Sequence, residues 1–374
     1  MSIGQAEPIK VLLIVYECNP DWTSVPLVGY QYYRTLRQLV DVTLVTHERN
    51  RAALTKRHPH EKIHYIEESQ SIKFAFNRIV EPITTFTGKT LWQLLAILSY
   101  PIYAQFNHRV NARFGDRVAA GEFDIVHALT PMMPRYPVKI SQICEQHRVP
   151  FLLGPVNGGL PYPKGFRDVA AKELAYFSLF RFLGRHLIPD YKETYQRAQH
   201  ILFGSSHTKS QVSDVLNLAE ANLTLFYENG ISQSFTAQAP QLKSPTDPVN
   251  LLFVGRLVPY KGADMLLEAL AKAQPHRLSL TIVGDGPERQ ALENLTHQLG
   301  LQTQVRFTGW VSQQDILDYY AKADIFCFPS IREFGGAVVM EAMAAGLPCI
   351  TIDHGGVGEY VTPETGFKVE PISK

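Results

Sequence analysis

The sequence predicts an α/β protein of two consecutive parallel-sheet domains, and three observations carry that expectation. Short apolar runs alternate with helix-length segments from Ile9 onward, the β-α-β pattern that builds a parallel sheet. A second series of the same kind starts at Leu251. Between them, Ile231 to Asn250 is rich in Ser, Gln, Pro and Thr, shows no apolar period and reads as a linker. At 374 residues the chain has room for both domains, expected at 1–235 and 250–374 with the linker at 236–249.

In the first series Ile9 to Tyr16 reads as a buried strand, followed by a loop from Glu17 to Val28 and a helix with Gly29 near its start. Val42 to Thr46 is the next strand. The loop carries no G-x-G-x-x-G, so a nicotinamide dinucleotide fingerprint is absent where it belongs. Phe123 to Ala128 is a further strand with His127 at its carboxyl end, where it either faces a cleft ligand or simply packs. Phe151 to Leu153 leads into Gly154-Pro155-Val156-Asn157-Gly158-Gly159, whose glycines either admit a ligand or make the turn. Ile201 to Phe203 and Leu223 to Phe226 close the series, and Asn229-Gly230 is a turn.

Residues 71–117 are apolar, aromatic and basic, and residues 174–187 repeat the pattern more weakly. One reading is an amphipathic patch that rests on an anionic membrane or takes a lipid-linked acceptor. The other is a pair of helices packed on the first sheet.

The second series begins with the strand Leu251 to Val254 and the loop Gly255-Arg256-Leu257-Val258-Pro259-Tyr260-Lys261-Gly262. Leu278 to Val283 is a strand ending in Gly284-Asp285-Gly286-Pro287, and Val305 to Phe307 leads into Thr308-Gly309-Trp310-Val311. Ile325 to Phe328 precedes the most informative turn. There Glu333-Phe334-Gly335-Gly336-Ala337 opens a helix of good helix formers that carries Glu341 and is closed by Gly346 and Pro348. A helix that starts at a glycine pair presents bare amides, which favour an anion or an electron-rich oxygen. Seven residues separate the two acids, so they would meet different parts of one long ligand, Glu333 the sugar hydroxyls and Glu341 a ribose diol. The bland alternative is a capping Glu and a solvated Glu on a surface helix. With no D-x-D to hold a metal on a diphosphate, Arg256 and Lys261 are the natural diphosphate partners, fixed cations on a strand-end loop.

Composition narrows the classes. Charged residues make up 19 % and the net charge is +1, so no global field points to nucleic acid. The cysteines, Cys18, Cys144, Cys327 and Cys349, form no CxxC, and three of them stand in apolar surroundings. Reduced thiols in a cytoplasmic chain are expected, not a disulfide framework or zinc site. Met1 to Ile9 lacks a signal-peptide apolar core, and no run is long and apolar enough to span a bilayer. The membrane reading of 71–117 and 174–187 would place the chain peripherally on the inner face.

In Val254-Gly255-Arg256…Lys261-Gly262, Val283-Gly284-Asp285-Gly286-Pro287, Phe307-Thr308-Gly309-Trp310-Val311 and Glu333-Phe334-Gly335-Gly336…Glu341-Ala342-Met343-Ala344-Ala345-Gly346-Leu347-Pro348, the chain resembles the retaining glycosyltransferases of family 4. Asp124-Ile125-Val126-His127 and Asn229-Gly230 extend the likeness more loosely into the first half. The resemblance implies the GT-B fold, two Rossmann-like doubly wound parallel-sheet domains facing an interdomain cleft. It implies transfer of a sugar from a nucleotide-sugar to an acceptor hydroxyl with retained configuration, without a metal or other cofactor, in glycan, polysaccharide or glycolipid synthesis. Glu333, His127, Arg256 and Lys261 would be catalytic. Glu341, Gly335, Gly336, Phe334, Ala337, Val311, Gly284, Gly286 and Gly29 would bind the donor, and a carbohydrate or lipid-linked acceptor would lie against the first domain.

Two features depart from the family pattern. Only Gly29 remains of the glycine pair that many relatives carry after the first strand, and the sequence stops at Lys374, before the helices with which relatives cross back onto the first domain. Competing readings are a nucleotide-sugar epimerase or a phosphorylase on the same plan, and a sugar- or lipid-binding relative without turnover.

Overall fold

The computed structural model describes residues 7–22, 24–70, 74, 78, 100–129, 136–172, 188–231, 235, 248–273, 277–312 and 315–373. The chain divides into two compact units, one of Met1–Gly159 with Tyr176–Glu228 and one of Leu160–Ala175 with Asn229–Lys374.

The first unit holds a seven-stranded sheet. Its strands are β1 (Lys10–Val15), β2 (Asp41–His47), β3 (Ile63–Ile66), β4 (Ile125–Leu129), β5 (Phe151–Val156), β6 (His200–Phe203) and β7 (Leu223–Leu225). They lie in the order β3-β2-β1-β4-β5-β6-β7, every pairing parallel. A parallel sheet covered on both faces needs strands that are apolar throughout, which is why Val11 to Val15 is buried without alternation. One face packs Phe106, Val110, Phe114 and Val118 of the Tyr100–Ala119 helix against Leu12, Ile14 and Val126.

In the described part of the basic aromatic segment, that helix packs on the first sheet. Its apolar side chains are core, and its cations are engaged locally. Arg109 donates to the Glu67 carbonyl at 2.6 Å, Arg113 lies 3.1 Å from His64 Nδ1, and Arg117 donates to Glu122. Residues 71–73, 75–77 and 79–99, with all of 174–187, lie outside the described residues. No described helix is long and apolar enough to cross a membrane.

The second unit holds six strands: β8 (Val249–Val254), β9 (Leu278–Val283), β10 (Val305–Gly309), β11 (Ile325–Phe328), β12 (Cys349–Ile352) and β13 (Gly366–Val369). Their order is β10-β9-β8-β11-β12-β13, again all parallel. Phe253, Ile282, Phe326 and Phe328 form its centre with Leu267 and Val339 from the flanking helices. Both sheets are doubly wound, with the strand order reversing beside β1 in the first and beside β8 in the second.

Two boundaries differ from the sequence reading. The second unit takes over at Asn229, where the first domain was expected to run to 235 and the second to begin at 250. Residues 160–175, expected in the first domain, group with the second because Phe166 and Val169 bury against Ile331 and Ile352. Of the expected linker, residues 236–247 lie outside the described residues. All four cysteines are free and buried, and burial pushes the Cys327 and Cys349 thiols up to about 12, so neither is a reactive thiolate.

Candidate functional site

The site is built where the second sheet reverses its winding. Strands β8 and β11 are neighbours, and the strand order reverses between them, the position at whose carboxyl ends open α/β sheets bind ligands. The loop after β8 carries Arg256, Tyr260 and Lys261, and the loop after β11 carries Ser330 to Gly336. Backbone bonds lace the two together. The Ile331 amide donates to the Tyr260 carbonyl at 2.9 Å, and Ser330 Oγ donates to the same oxygen at 3.3 Å.

This lacing brings Lys261 Nζ onto the Glu333 carboxylate. The two side chains are only 14 % and 15 % exposed. Lys261 Nζ also lies 4.7 Å from the centre of the Phe328 ring, so its charge is held over an aromatic floor. Arg256 Nη2 donates to the Tyr260 hydroxyl at 2.9 Å. The loop after β8 thus carries two cations, and one of them meets a carboxylate from the loop after β11, an arrangement suited to a ligand with a diphosphate and a polyhydroxyl end.

Glu333 is fixed at its backbone too, because its carbonyl accepts from the Gly356 amide at 3.1 Å. Its second carboxylate oxygen faces the Gly336 amide at 3.4 Å. Gly336 has φ +52°, and a Cβ there would come within 2.3 Å of Val357, so the helix Ala337–Ala344 can start only from glycine. Gly335 is buried beside it, while Phe334 and Ala337 are half-buried.

Glu341 belongs to a different set of partners. Its Oε2 accepts from the Tyr320 hydroxyl at 3.0 Å. Burial raises its pKa, and the Tyr320 hydrogen bond opposes that rise. Val311 packs half-buried on the second core. Gly284 and Gly286 have a packing role that sequence reasoning did not assign. A Cβ on Gly284 would lie 2.0 Å from the Gly255 carbonyl oxygen, and one on Gly286 would lie 2.4 Å from that of Leu257. These glycines let the β9 loop press against the β8 loop that carries Arg256.

The two remaining candidates belong to the first unit. His127 is in mid-strand, not at the carboxyl end, because β4 continues to Leu129. It is 4 % exposed, and its Nε2–H donates to the Gly154 carbonyl at 2.7 Å. Desolvation lowers its pKa to about 4, so the imidazole is neutral at physiological pH. Gly29 lies inside the Val25–Leu36 helix, where a Cβ would come within 2.1 Å of the Glu17 carbonyl oxygen. It is buried and serves the close approach of that helix to the loop after β1.

Sequence reasoning missed Tyr260, Tyr320 and Arg332. Tyr260 was readable as the neighbour of Lys261. The others had no local signal. Arg332 bonds the Leu160 carbonyl at 3.3 Å and lies 5.1 Å from the centre of the Tyr162 ring, contacts from the segment that joined this unit unexpectedly.

Residues 234–373 match the family model described as Glycosyl transferases group 1. A glycosyltransferase of Methanocaldococcus jannaschii, itself uncharacterized, is 34% identical over 193 residues, 49% of this chain and 49% of that protein. The chain spans about half or less of the length of the curated relatives it matches. Among solved structures, the apo form of the lipopolysaccharide outer core galactosyltransferase WaaB superposes with a TM-score of 0.63 at 17% identity, covering 97% of this chain and 87% of that one. HepE of Anabaena in complex with UDP gives 0.59 at 18% identity, covering 98% and 86%. At such identities the likeness is one of fold, the two-sheet GT-B architecture. Residues 234–373 thus match the glycosyltransferase group 1 model within a chain that shares this two-sheet fold.

Proposed function

We propose that this protein is a glycosyltransferase that moves a sugar from a nucleotide-sugar to an acceptor hydroxyl with retention of configuration and without a metal ion. The observation that carries the reading is the pairing of Lys261 with Glu333 at the switch point of the second sheet, with Arg256 on the same loop as Lys261. A diphosphate brought to this pair competes with Glu333 for the ammonium, and the exchange frees the carboxylate to accept from sugar hydroxyls. Glu341 takes the ribose, and the backbone at Val311 lies by the base. A structural neighbour that binds UDP supports a nucleotide-sugar donor.

In the reaction the bond from the anomeric carbon to the leaving phosphate oxygen breaks, and a bond to the acceptor oxygen forms. Arg256 and Lys261 stabilise the negative charge that gathers on the leaving oxygen. The acceptor attacks from the face the phosphate leaves, and the phosphate takes the acceptor's proton. No side chain of the site is then required as a covalent nucleophile. His127, buried and bonded to the Gly154 carbonyl of β5, serves to hold β4 and β5 together and does not act as a proton donor. The acceptor is a carbohydrate or lipid-linked glycan, consistent with the lipopolysaccharide galactosyltransferase among the structural neighbours.

The test is product analysis. The protein is incubated with UDP-, GDP- and ADP-sugars, with and without oligosaccharide or lipid-linked acceptors, and in the presence of a chelator. A glycoside with the donor's anomeric configuration, formed undiminished by the chelator, supports the reading. An inverted glycoside or a metal requirement contradicts the mechanism. Epimerised donor, or sugar phosphate that depends on added phosphate, contradicts the class.

A further inference from the structure

Tyr320 lies in the Ile316–Lys322 helix and is fully buried, its ring packed 5.9 Å from that of Phe326 and 5.8 Å from that of Phe235. A ring so enclosed has one orientation, and its hydroxyl therefore has one position. That hydroxyl is 3.0 Å from Glu341 Oε2 and 3.3 Å from the Val338 carbonyl. Both acceptors belong to the Ala337–Ala344 helix, three residues apart and so on one face. A buried phenol placed between a backbone carbonyl and a carboxylate fixes the rotamer of the carboxylate.

We propose that Tyr320 is the positioning residue of the donor site: its hydroxyl occupies Glu341 Oε2 and leaves Oε1 as the acceptor for the ribose hydroxyls. This rests on the reading of Glu341 as the ribose ligand. The division of labour has a physical reason. A carboxylate free to rotate in a half-buried site loses side-chain entropy each time it meets a diol, whereas one already held by a neutral donor loses less. The Tyr320 bond also favours the ionised carboxylate against the cost of burial, and the ionised form is the stronger acceptor for ribose hydroxyls.

The experiment measures binding of UDP, ADP and GDP, each beside its 2′,3′-dideoxy counterpart, to the wild-type chain, Tyr320→Phe, Glu341→Gln and the double variant. Wild type is expected to prefer the ribose forms, and Glu341→Gln to lose that preference. Tyr320→Phe keeps the ring and removes one oxygen. It is expected to weaken the ribose form roughly tenfold, the scale of one hydrogen bond to a charged group, and to leave the dideoxy form unchanged. In the Glu341→Gln background the same substitution is expected to add nothing. Equal weakening of both forms by Tyr320→Phe, or no weakening of either, overturns the positioning role and leaves the ribose reading intact. A wild type indifferent to the ribose hydroxyls overturns both.

Discussion

Lys261 and Glu333 stand 72 residues apart in the chain and meet as an ion pair in which each side chain is about six-sevenths buried. The pair exists because β8 and β11 are adjacent and their carboxyl-end loops share backbone hydrogen bonds. On the proposed reading, the lysine ammonium held over the Phe328 ring and against one carboxylate changes partners when an anion of higher charge arrives. Replacing Glu333 by Gln keeps the shape and removes the charge. Sugar transfer by Glu333→Gln should fall on the order of a hundredfold in kcat, read with a coupled nucleotide-release assay, while nucleoside diphosphate affinity holds or rises.

Gly284→Ala tests the packing of the two strand-end loops independently of chemistry. Gly284 sits at φ +137°, and an added methyl would meet the Gly255 carbonyl. The strain and overlap together should cost about 3 kcal/mol, visible as a lower urea midpoint with an unchanged slope.

His127 predicts a pH dependence. Its pKa is about 4 in the folded chain and about 6.5 unfolded. Between those values the unfolded state binds the proton and the native state does not, so stability falls on acidification below 6.5 and is insensitive to this group above it. At pH 5 the loss from this residue alone should be about 2 kcal/mol relative to pH 7.5. His127→Gln, which can still donate to Gly154, should lack that component when urea midpoints of the two proteins are compared across the range.

Glu341 sets stability against binding. Burial raises its folded pKa, so the ionised form present at neutral pH is a cost to the fold. Glu341→Gln should therefore melt at a higher temperature than wild type at pH 7 while binding nucleoside diphosphates less tightly. A lower melting temperature would mean that the Tyr320 bond outweighs the burial.

Much of this was legible in the chain because its signals are local. The apolar runs that became β1, β2 and β8 are uninterrupted, as strands buried on both faces must be. Glu333, Arg256 and Lys261 could be grouped because each follows a strand, and strand-end loops of a doubly wound sheet converge. What stayed hidden depends on contacts distant in sequence. Strand β3 has four residues, three of them half-buried, and gives no run to recognise. His127 looked terminal because one polar residue in an apolar stretch reads the same at the end of a strand as in its middle. The segment 160–175 joined the second unit through Phe166 and Val169, whose buried partners Ile331 and Ile352 lie more than 150 residues away. The Tyr320–Glu341 bond needed the helix and the sheet to be assembled before it could be seen.

Arg256 and Lys261 are proposed to receive a diphosphate in the second unit. The direct measurement is the thermal stabilisation of wild type and of Arg256→Ala/Lys261→Ala by UDP, GDP and ADP, with the corresponding nucleosides as controls. For wild type, one diphosphate at a hundred times its Kd should add about 2.7 kcal/mol, and the double variant should lose that gain while its weak response to the nucleoside stays the same. Equal stabilisation of the two proteins by the diphosphate would contradict the account.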